Sequence, residues 1–266
     1  MKTVVVIGVI LYLFFRFRRE VKEGYKEANR LAAPLKSQIF PTPPLFKEIL
    51  YRYFAHYRKL SEENKKIFEQ RVTKFIYSKE FIARGEYDGV SNEMRVLVAA
   101  SAIQLTFGLP EIYLRHFRKI LIYPDNYYSN ITKRYHKGEV NPAFRIIVLS
   151  WRNFVEGYLD TTNAINLGLH EMAHALRLEN IIRNDEYQFF DDDLLNQFDE
   201  WAHKVCSSND IQFFRPYACA TVHEFFAVAV ENFFERSAEF KATLPDLYAI
   251  LMQLLRQDPI ELTQNQ

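Results

Sequence analysis

The sequence is poor in cysteine and carries almost no net charge. Its 266 residues include two cysteines, Cys206 and Cys219, which are too few for a disulfide-stapled secreted domain and too widely spaced for a cysteine-type zinc site. We expect both to be structural thiols in a reducing compartment. The 34 basic and 33 acidic side chains leave a net charge of +1, which argues against a nucleic-acid partner.

Internal repeats and low-complexity tracts are also lacking. The composition is that of a globular protein rather than a disordered one. Hydrophobic residues make up 48% and charged residues 25%, as in globular domains. The length suits one large domain or two small ones. The 23 phenylalanines predict a core rich in that residue.

The longest apolar run is shorter than a typical bilayer-spanning helix. Residues Thr3–Phe15 are 13 uncharged residues followed by a basic cluster, whereas a spanning helix needs about 20. Charges after the run, without an Ala-x-Ala site, argue against a cleaved signal peptide and favour a cytoplasmic body. We predict an N-terminal segment over residues 1–19 that associates with the membrane through residues 3–17, with the body at the cytoplasmic face of the inner membrane. The alternative is an apolar segment packed on a cytoplasmic domain.

The rest of the chain divides into a connector and a mainly helical body. Residues 20–40 form the predicted linker, and the proline-rich "APLKSQIFPTPPLF" reads as extended. In the body at 41–260, Ser61 is a plausible helix N-cap, and a second apolar helix begins at Ser91 or Asn92 and ends at Gly108. The runs "KILIYPDNY" and "FRIIVLSW" predict strands. We therefore expect an α+β fold, mainly helical, with a small sheet.

The segment "NLGLHEMAHALRLEN" carries the chemistry. His170 and His174 lie four residues apart, which places two imidazoles on one face of a helix where they can share one Zn²⁺ ion. Glu171 lies about 100° further round the helix, so its carboxylate can reach a metal-bound water and take its proton. The pattern is the metalloprotease motif H-E-x-x-H, and it predicts one zinc per chain.

A third protein ligand is required, because catalytic zinc sites keep three protein ligands and an open position. The apolar helix "YACATVHEFFAVAVENFFE" offers three candidates. Glu224 and Glu231 are seven residues apart and share a helix face, and His223 precedes the first of them. The residues alone leave the choice among the three open.

These segments together resemble the Mlc titration factor A family of zinc metallopeptidases (peptidase M90), which is related to the catalytic domain of anthrax lethal factor. "SNEMRVLVAASAIQLTFGL" is similar to the family's first helix, "FRIIVLSW" to the strand before the zinc helix, "LHEMAHAL" to the zinc helix, and "YACATVHEFFAVAVENFF" to the third-ligand helix. The match runs from about Pro41 to Pro259. It implies a zincin-like metallopeptidase fold with an HExxH active-site helix.

Carried over to this sequence, the resemblance implies zinc ligands His170, His174 and Glu224, with Glu171 as general base. Tyr217 matches the family's tyrosine that points into the site, where its phenol could donate to the developing oxyanion. His136 lies near a histidine sometimes associated with the metal. The segment "FRIIVLSW" would be the sheet edge along which an extended peptide substrate adds as a strand.

Two positions depart from the family pattern and keep a second function open. Arg177 stands where the family has an acid, and Thr221-Val222-His223 replaces Asn-Pro-Ala. Such residues orient ligands, so they bear on peptidase turnover more than on zinc binding. The first interpretation is a zinc metallopeptidase that acts on peptides through a zinc-activated water. The alternative is a zinc-containing regulatory protein that sequesters a protein partner, such as a transcriptional regulator, with little turnover.

Overall fold

Several helices of the body begin at a polar side chain that caps them. A computed structural model describes residues 41–129, 133–182, 189–208 and 213–261. Ser61 and Ser91 accept the amide hydrogens of Asn64 and Met94, so each satisfies a backbone donor that the first turn of its helix leaves free. The predicted cap at Ser61 is confirmed. Of the two candidates Ser91 and Asn92, Ser91 is the cap of the apolar helix that follows it.

Ten helices and six strands lie in the described part of the chain, and one 3-10 turn precedes the helix that carries Glu224. The helices are α1 (Pro44–Tyr53), α2 (Ala55–Arg58), α3 (Glu62–Ser78), α4 (Asn92–Thr106), α5 (Trp151–Leu159), α6 (Leu167–Ile182), α7 (Asp192–Ser207), α8 (Val222–Glu235), α9 (Ser237–Thr243) and α10 (Pro245–Leu255). The 3-10 turn η1 spans Pro216–Ala220. The strands are β1 (Glu80–Ala83), β2 (Lys119–Tyr123), β3 (Tyr127–Ser129), β4 (Arg134–His136), β5 (Gly138–Asn141) and β6 (Ile146–Ser150).

The main sheet is small and mixed, with the order β1-β2-β6-β5. Strands β1, β2 and β6 run parallel, and β5 runs antiparallel to β6. Strands β3 and β4 form a separate hairpin. The mainly helical α+β fold with a small mixed sheet is therefore confirmed.

The expectation that "FRIIVLSW" forms a sheet edge is wrong. Its strand β6 lies between β2 and β5, and four of its five residues are buried. The continuous apolar run at residues 146–149 has the composition of an interior strand, which is covered on both faces. The edge beside β6 is β5, whose residues are all half-buried.

The core lies between the helices and is rich in phenylalanine, as the composition predicts. Helices α4, α6 and α8 are apolar on most of their surfaces and pass through it. Helix α6 packs against α4, α5, α8, β5 and β6. The fully buried phenylalanines are Phe54, Phe68, Phe75, Phe117, Phe154, Phe190, Phe198, Phe225, Phe226, Phe233 and Phe240.

The prediction of two free thiols is wrong, because Cys206 and Cys219 form a disulfide. Cys206 lies in the last turn of α7, and Cys219 lies in η1. The fold brings their Cα atoms to 5.5 Å, within the range that a disulfide requires. Only thirteen positions separate them along the chain, and the sequence does not reveal that α7 and η1 are neighbours.

The predicted N-terminal segment at 1–19 and the linker at 20–40 lie outside the described residues. Chain contacts divide the molecule into a unit at Met1–Thr42 and a larger unit at Pro43–Gln266. In the described part of the chain, every helix is too short or too polar to cross a bilayer.

Candidate metal centre

Helix α6 presents two histidines to one point. His170 and His174 lie one turn apart, and their Nε2 atoms are 3.1 Å from each other. The rings are nearly perpendicular, with centroids 4.7 Å apart. This is the convergence that four-residue spacing on a helix predicts.

Helix α8 brings a carboxylate to the same point. Oε2 of Glu224 lies 3.2 Å from Nε2 of His170 and 3.3 Å from Nε2 of His174. Thr221 starts α8 and accepts the amide hydrogen of Glu224 at 3.1 Å, which fixes the first turn around the carboxylate. Ligand atoms of the three residues all lie within 4.8 Å of one another. Two imidazole nitrogens and one carboxylate oxygen form a donor set that suits Zn²⁺ and leaves one position open.

Charge in this cluster is strongly coupled. Burial lowers the pKa of His170, but hydrogen bonds to Glu224 and Glu231 outweigh it and raise that pKa to about 10. Burial raises the pKa of Glu224, but the imidazoles of His170 and His174 outweigh it and hold that pKa well below its usual value. The carboxylates therefore favour positive charge at the point where the donors meet, and a divalent cation can supply it.

Glu171 follows His170 on α6 and lies beside the cluster. Its side chain lies against the edge strand β5. Burial raises the pKa of its carboxyl group, against the opposing influence of His170 and His174. A Cβ atom at Gly138 of β5 would overlap the side chain of Glu171 from Cγ to the carboxylate oxygen. Sequence reasoning missed Gly138, although a glycine inside a strand is a recognised signal of close approach by another group.

Tyr217 reaches the cluster from η1. Its ring centroid lies 6.3 Å from that of His170, and 53% of the residue is exposed. Desolvation of the hydroxyl, together with the charge of the nearby Glu224 carboxylate, raises the pKa of Tyr217 to about 12. The phenol therefore keeps its proton at neutral pH.

The alternative ligand candidates occupy other places. Glu231 contacts the Nδ1 side of His170, away from the point where the donors meet. His223 and His136 do not belong to the donor cluster found among the described residues. His136 ends β4 and lies 6.2 Å from the ring of Tyr127.

The two departures from the family pattern have local partners. Arg177 is buried on the inner face of α6, where Nη2 donates to both carboxylate oxygens of Asp199 at 2.7 Å. Its guanidinium also lies over the ring of Phe226, 5.5 Å from the centroid. Thr221 acts as the N-cap of α8. Arg177 thus forms an ion pair with Asp199 of α7, and the hydroxyl of Thr221 caps α8.

Comparison with known proteins adds an independent line of evidence. The model of the family described as Glucose-regulated metallo-peptidase M90 matches residues 28–256. The chain is 24% identical over 249 residues to the uncharacterized protein slr2042 of Synechocystis sp., covering 85% of this chain and 89% of the relative. It is 27% identical over 186 residues to Mlc titration factor A of Escherichia coli O7:K1, covering 60% of this chain and 68% of the relative. Mlc titration factor A of Shigella flexneri serotype 5b is 26% identical over the same length.

Proposed function

Because the chain belongs to the Glucose-regulated metallo-peptidase M90 family, we propose that it is a zinc-dependent metallopeptidase that hydrolyses peptide bonds. Family membership supports a metallopeptidase-type function. The observation that carries the finer proposal is the convergence of His170, His174 and Glu224, with Glu171 beside them. These three donors would hold one zinc ion per chain. When bound, zinc supplies a Lewis acid that lowers the pKa of water and polarises a carbonyl oxygen.

Glu171 and Tyr217 take different parts in the reaction. Glu171 is buried and adjacent to the donors, so its carboxylate accepts the proton of the attacking water. Tyr217 keeps its phenolic proton, and its hydroxyl donates a hydrogen bond to the oxygen of the substrate carbonyl as negative charge develops there. Glu171 then returns its proton to the leaving amine.

The substrate enters along β5. This strand is the edge of the main sheet nearest Glu171, and its partner β6 occupies only one of its sides. An extended peptide can pair with the other side through backbone hydrogen bonds, which bind it largely independently of its side chains. Strand addition, expected from the sequence at "FRIIVLSW", is thus proposed for Gly138–Asn141 instead.

The direct test compares wild type with His170→Ala and Glu171→Gln on one peptide library, with zinc content measured for each. Wild type should contain about one zinc per chain and cleave peptides. His170→Ala should lose the zinc, because two donors bind far more weakly than three. Glu171→Gln should retain the zinc and lose turnover by about 100-fold or more, since a positioned general base contributes about 10²–10⁴-fold.

Thermal unfolding of each variant supplies the control, because a misfolded protein would also be inactive. Wild-type hydrolysis by zinc-loaded Glu171→Gln would contradict the mechanism. Wild-type protein without bound zinc would contradict the metal centre itself.

A second candidate function rests on the name of the relatives. Mlc titration factor A is named for titrating Mlc, and this supports a role for the present chain in binding a protein partner. A pull-down with zinc-loaded Glu171→Gln separates the two functions. A partner retained by this variant, together with a wild type that cleaves nothing in the library, would favour the binding role.

A further inference from the structure

We propose that Glu231 is a positioning residue that holds the imidazole of His170 from behind, so that Nε2 of this ring faces the metal. The inference rests on the proposed zinc-binding function. Glu231 lies two turns after Glu224 on α8 and is 1% exposed, so its carboxylate is fully within the protein. Its Oε2 atom is 3.3 Å from Nδ1 of His170.

The two nitrogens of His170 have separate partners. Nε2 faces Glu224 at 3.2 Å, and Nδ1 faces Glu231. A histidine that ligates through Nε2 must carry its proton on Nδ1, and a buried N–H needs an acceptor. The carboxylate of Glu231 is that acceptor. It fixes the tautomer and the ring orientation, and its negative charge makes Nε2 a better donor to a metal.

Glu231 is itself held in place by two further donors. Nη2 of Arg215 lies 2.6 Å from Oε2, and the backbone N–H of Asn166 donates to Oε1 at 2.8 Å. Asn166 directly precedes α6, and its Oδ1 accepts the amide hydrogen of Leu169 at 3.0 Å. One carboxylate thus fixes both the start of the zinc helix and the ring of its first histidine.

Arg215 extends the same network toward Tyr217. Its Nη1 donates to the carbonyl oxygen of Ala164 in the loop before α6. Arg215 also stands two residues before Tyr217, at the start of η1. The ion pair with Glu231 therefore joins the segment that carries the phenol to the helix that carries the histidines.

A purely structural role for Glu231 predicts a different result from a positioning role, and Glu235 provides the matched comparison. Glu235 lies one turn further along α8 and is half-buried. Its Oε1 accepts a hydrogen bond from Nδ2 of Asn166 at 2.9 Å, so this carboxylate contacts the same asparagine as Glu231 does, whereas the contact with the imidazole of His170 is made by Glu231. Substituting either glutamate by glutamine removes one buried carboxylate from α8.

The experiment measures zinc affinity of the full chain by competition with a chromophoric chelator. Glu231→Gln should bind zinc about 10–100-fold more weakly than wild type, the usual effect of losing an outer-shell partner. Glu235→Gln should bind zinc as wild type does. In thermal unfolding of the zinc-free proteins, Glu231→Gln should lose more stability than Glu235→Gln, because Arg215 loses its ion-pair partner. Zinc affinities are therefore compared at a temperature where both variants are folded. Equal zinc affinity of the two variants would overturn the inference.

A second measurement needs no variant, so it decides the matter even if Glu231→Gln does not fold. In zinc-loaded wild type labelled with ¹⁵N-histidine, the Nδ1 proton of His170 should be visible by NMR and protected from exchange with solvent. A rapidly exchanging Nδ1 proton, or zinc bound through Nδ1, would overturn the inference. If wild type binds zinc but the affinity comparison or the NMR measurement fails, only the role of Glu231 is refuted. If wild type binds no zinc, the metal centre is refuted as well.

Discussion

Gly138 of β5 lies against the side chain of Glu171 on α6. The space at the Cα atom of Gly138 is filled by the side chain of Glu171, so a larger residue at 138 would displace the proposed base. Glu171 is buried, and its neighbours leave little room for a new position. The absence of a side chain at Gly138 therefore lets β5, the proposed substrate-binding edge, lie directly beside Glu171, the proposed base.

Gly138→Ala is expected to lower peptide hydrolysis by about 10–100-fold with zinc content unchanged, because a displacement of about 1 Å can cost two orders of magnitude in rate. Gly89→Ala is the matched control, since a Cβ atom there would meet nothing within 4 Å. Steady-state kinetics and metal analysis of both variants check the prediction. Equal rates for the two variants would mean that Glu171 has room to move.

At the scale of elements, the disulfide joins the end of α7 to η1. Cys219 lies two residues after Tyr217 in the same five-residue turn, so the disulfide is close to the phenol along the chain. Glu224 lies on α8, which is anchored by its own N-cap and its buried face. The disulfide therefore bears on the phenol more directly than on the metal ligands.

Replacing both cysteines by alanine is expected to lower the free energy of unfolding by about 3 kcal/mol, the chain-entropy value for a loop of this size. Hydrolysis should also fall, because Tyr217 loses its fixed position, while zinc content stays at the wild-type level. Denaturant unfolding with and without a reducing agent checks this. The reductant should destabilise wild type and leave the double variant unchanged. An equal response of both proteins would exclude the disulfide.

At the scale of the whole molecule, the location of the body depends on residues before the described part. The prediction of a cytoplasmic body rested on the cysteines and on the basic cluster at 16–19. The disulfide removes the first support, because such bonds are rare in reducing compartments. The charge pattern and the apolar run at residues 3–17 remain the basis for the predicted anchor.

Cell fractionation of the full chain and of a version that starts at Glu20 tests the anchor. The full chain should sediment with membranes, because about 13–15 apolar residues flanked by basic side chains favour the bilayer. The shorter version should appear in the soluble fraction. Both proteins in the soluble fraction would exclude the anchor and favour the alternative of an apolar segment packed on the domain.

Features that depend on near neighbours in the chain can be predicted from the sequence. The helix starts at Ser61 and Ser91 follow from side chains that cap the backbone three residues on. The pairing of His170 with His174 follows from the helical repeat. The residues in these relations are at most four positions apart in the chain, so the local pattern is sufficient to predict them.

Contacts between distant segments depend on the packing of the whole fold. Glu224 and Glu231 share a helix face, and the sequence left both as ligand candidates together with His223. The two glutamates lie about 10 Å apart along α8 at 1.5 Å per residue, so the packing of α8 on α6 determines which of them reaches the Nε2 atoms.

The same limit explains the two wrong predictions, at the cysteines and at "FRIIVLSW". The disulfide depends on α7 ending beside η1, and the sheet edge depends on β5 folding back along β6. Each is a contact between segments whose order in space is set by burial of the whole core, to which single residues contribute little. Local spacing therefore determined the chemistry of this protein, and long-range packing determined which groups take part in it.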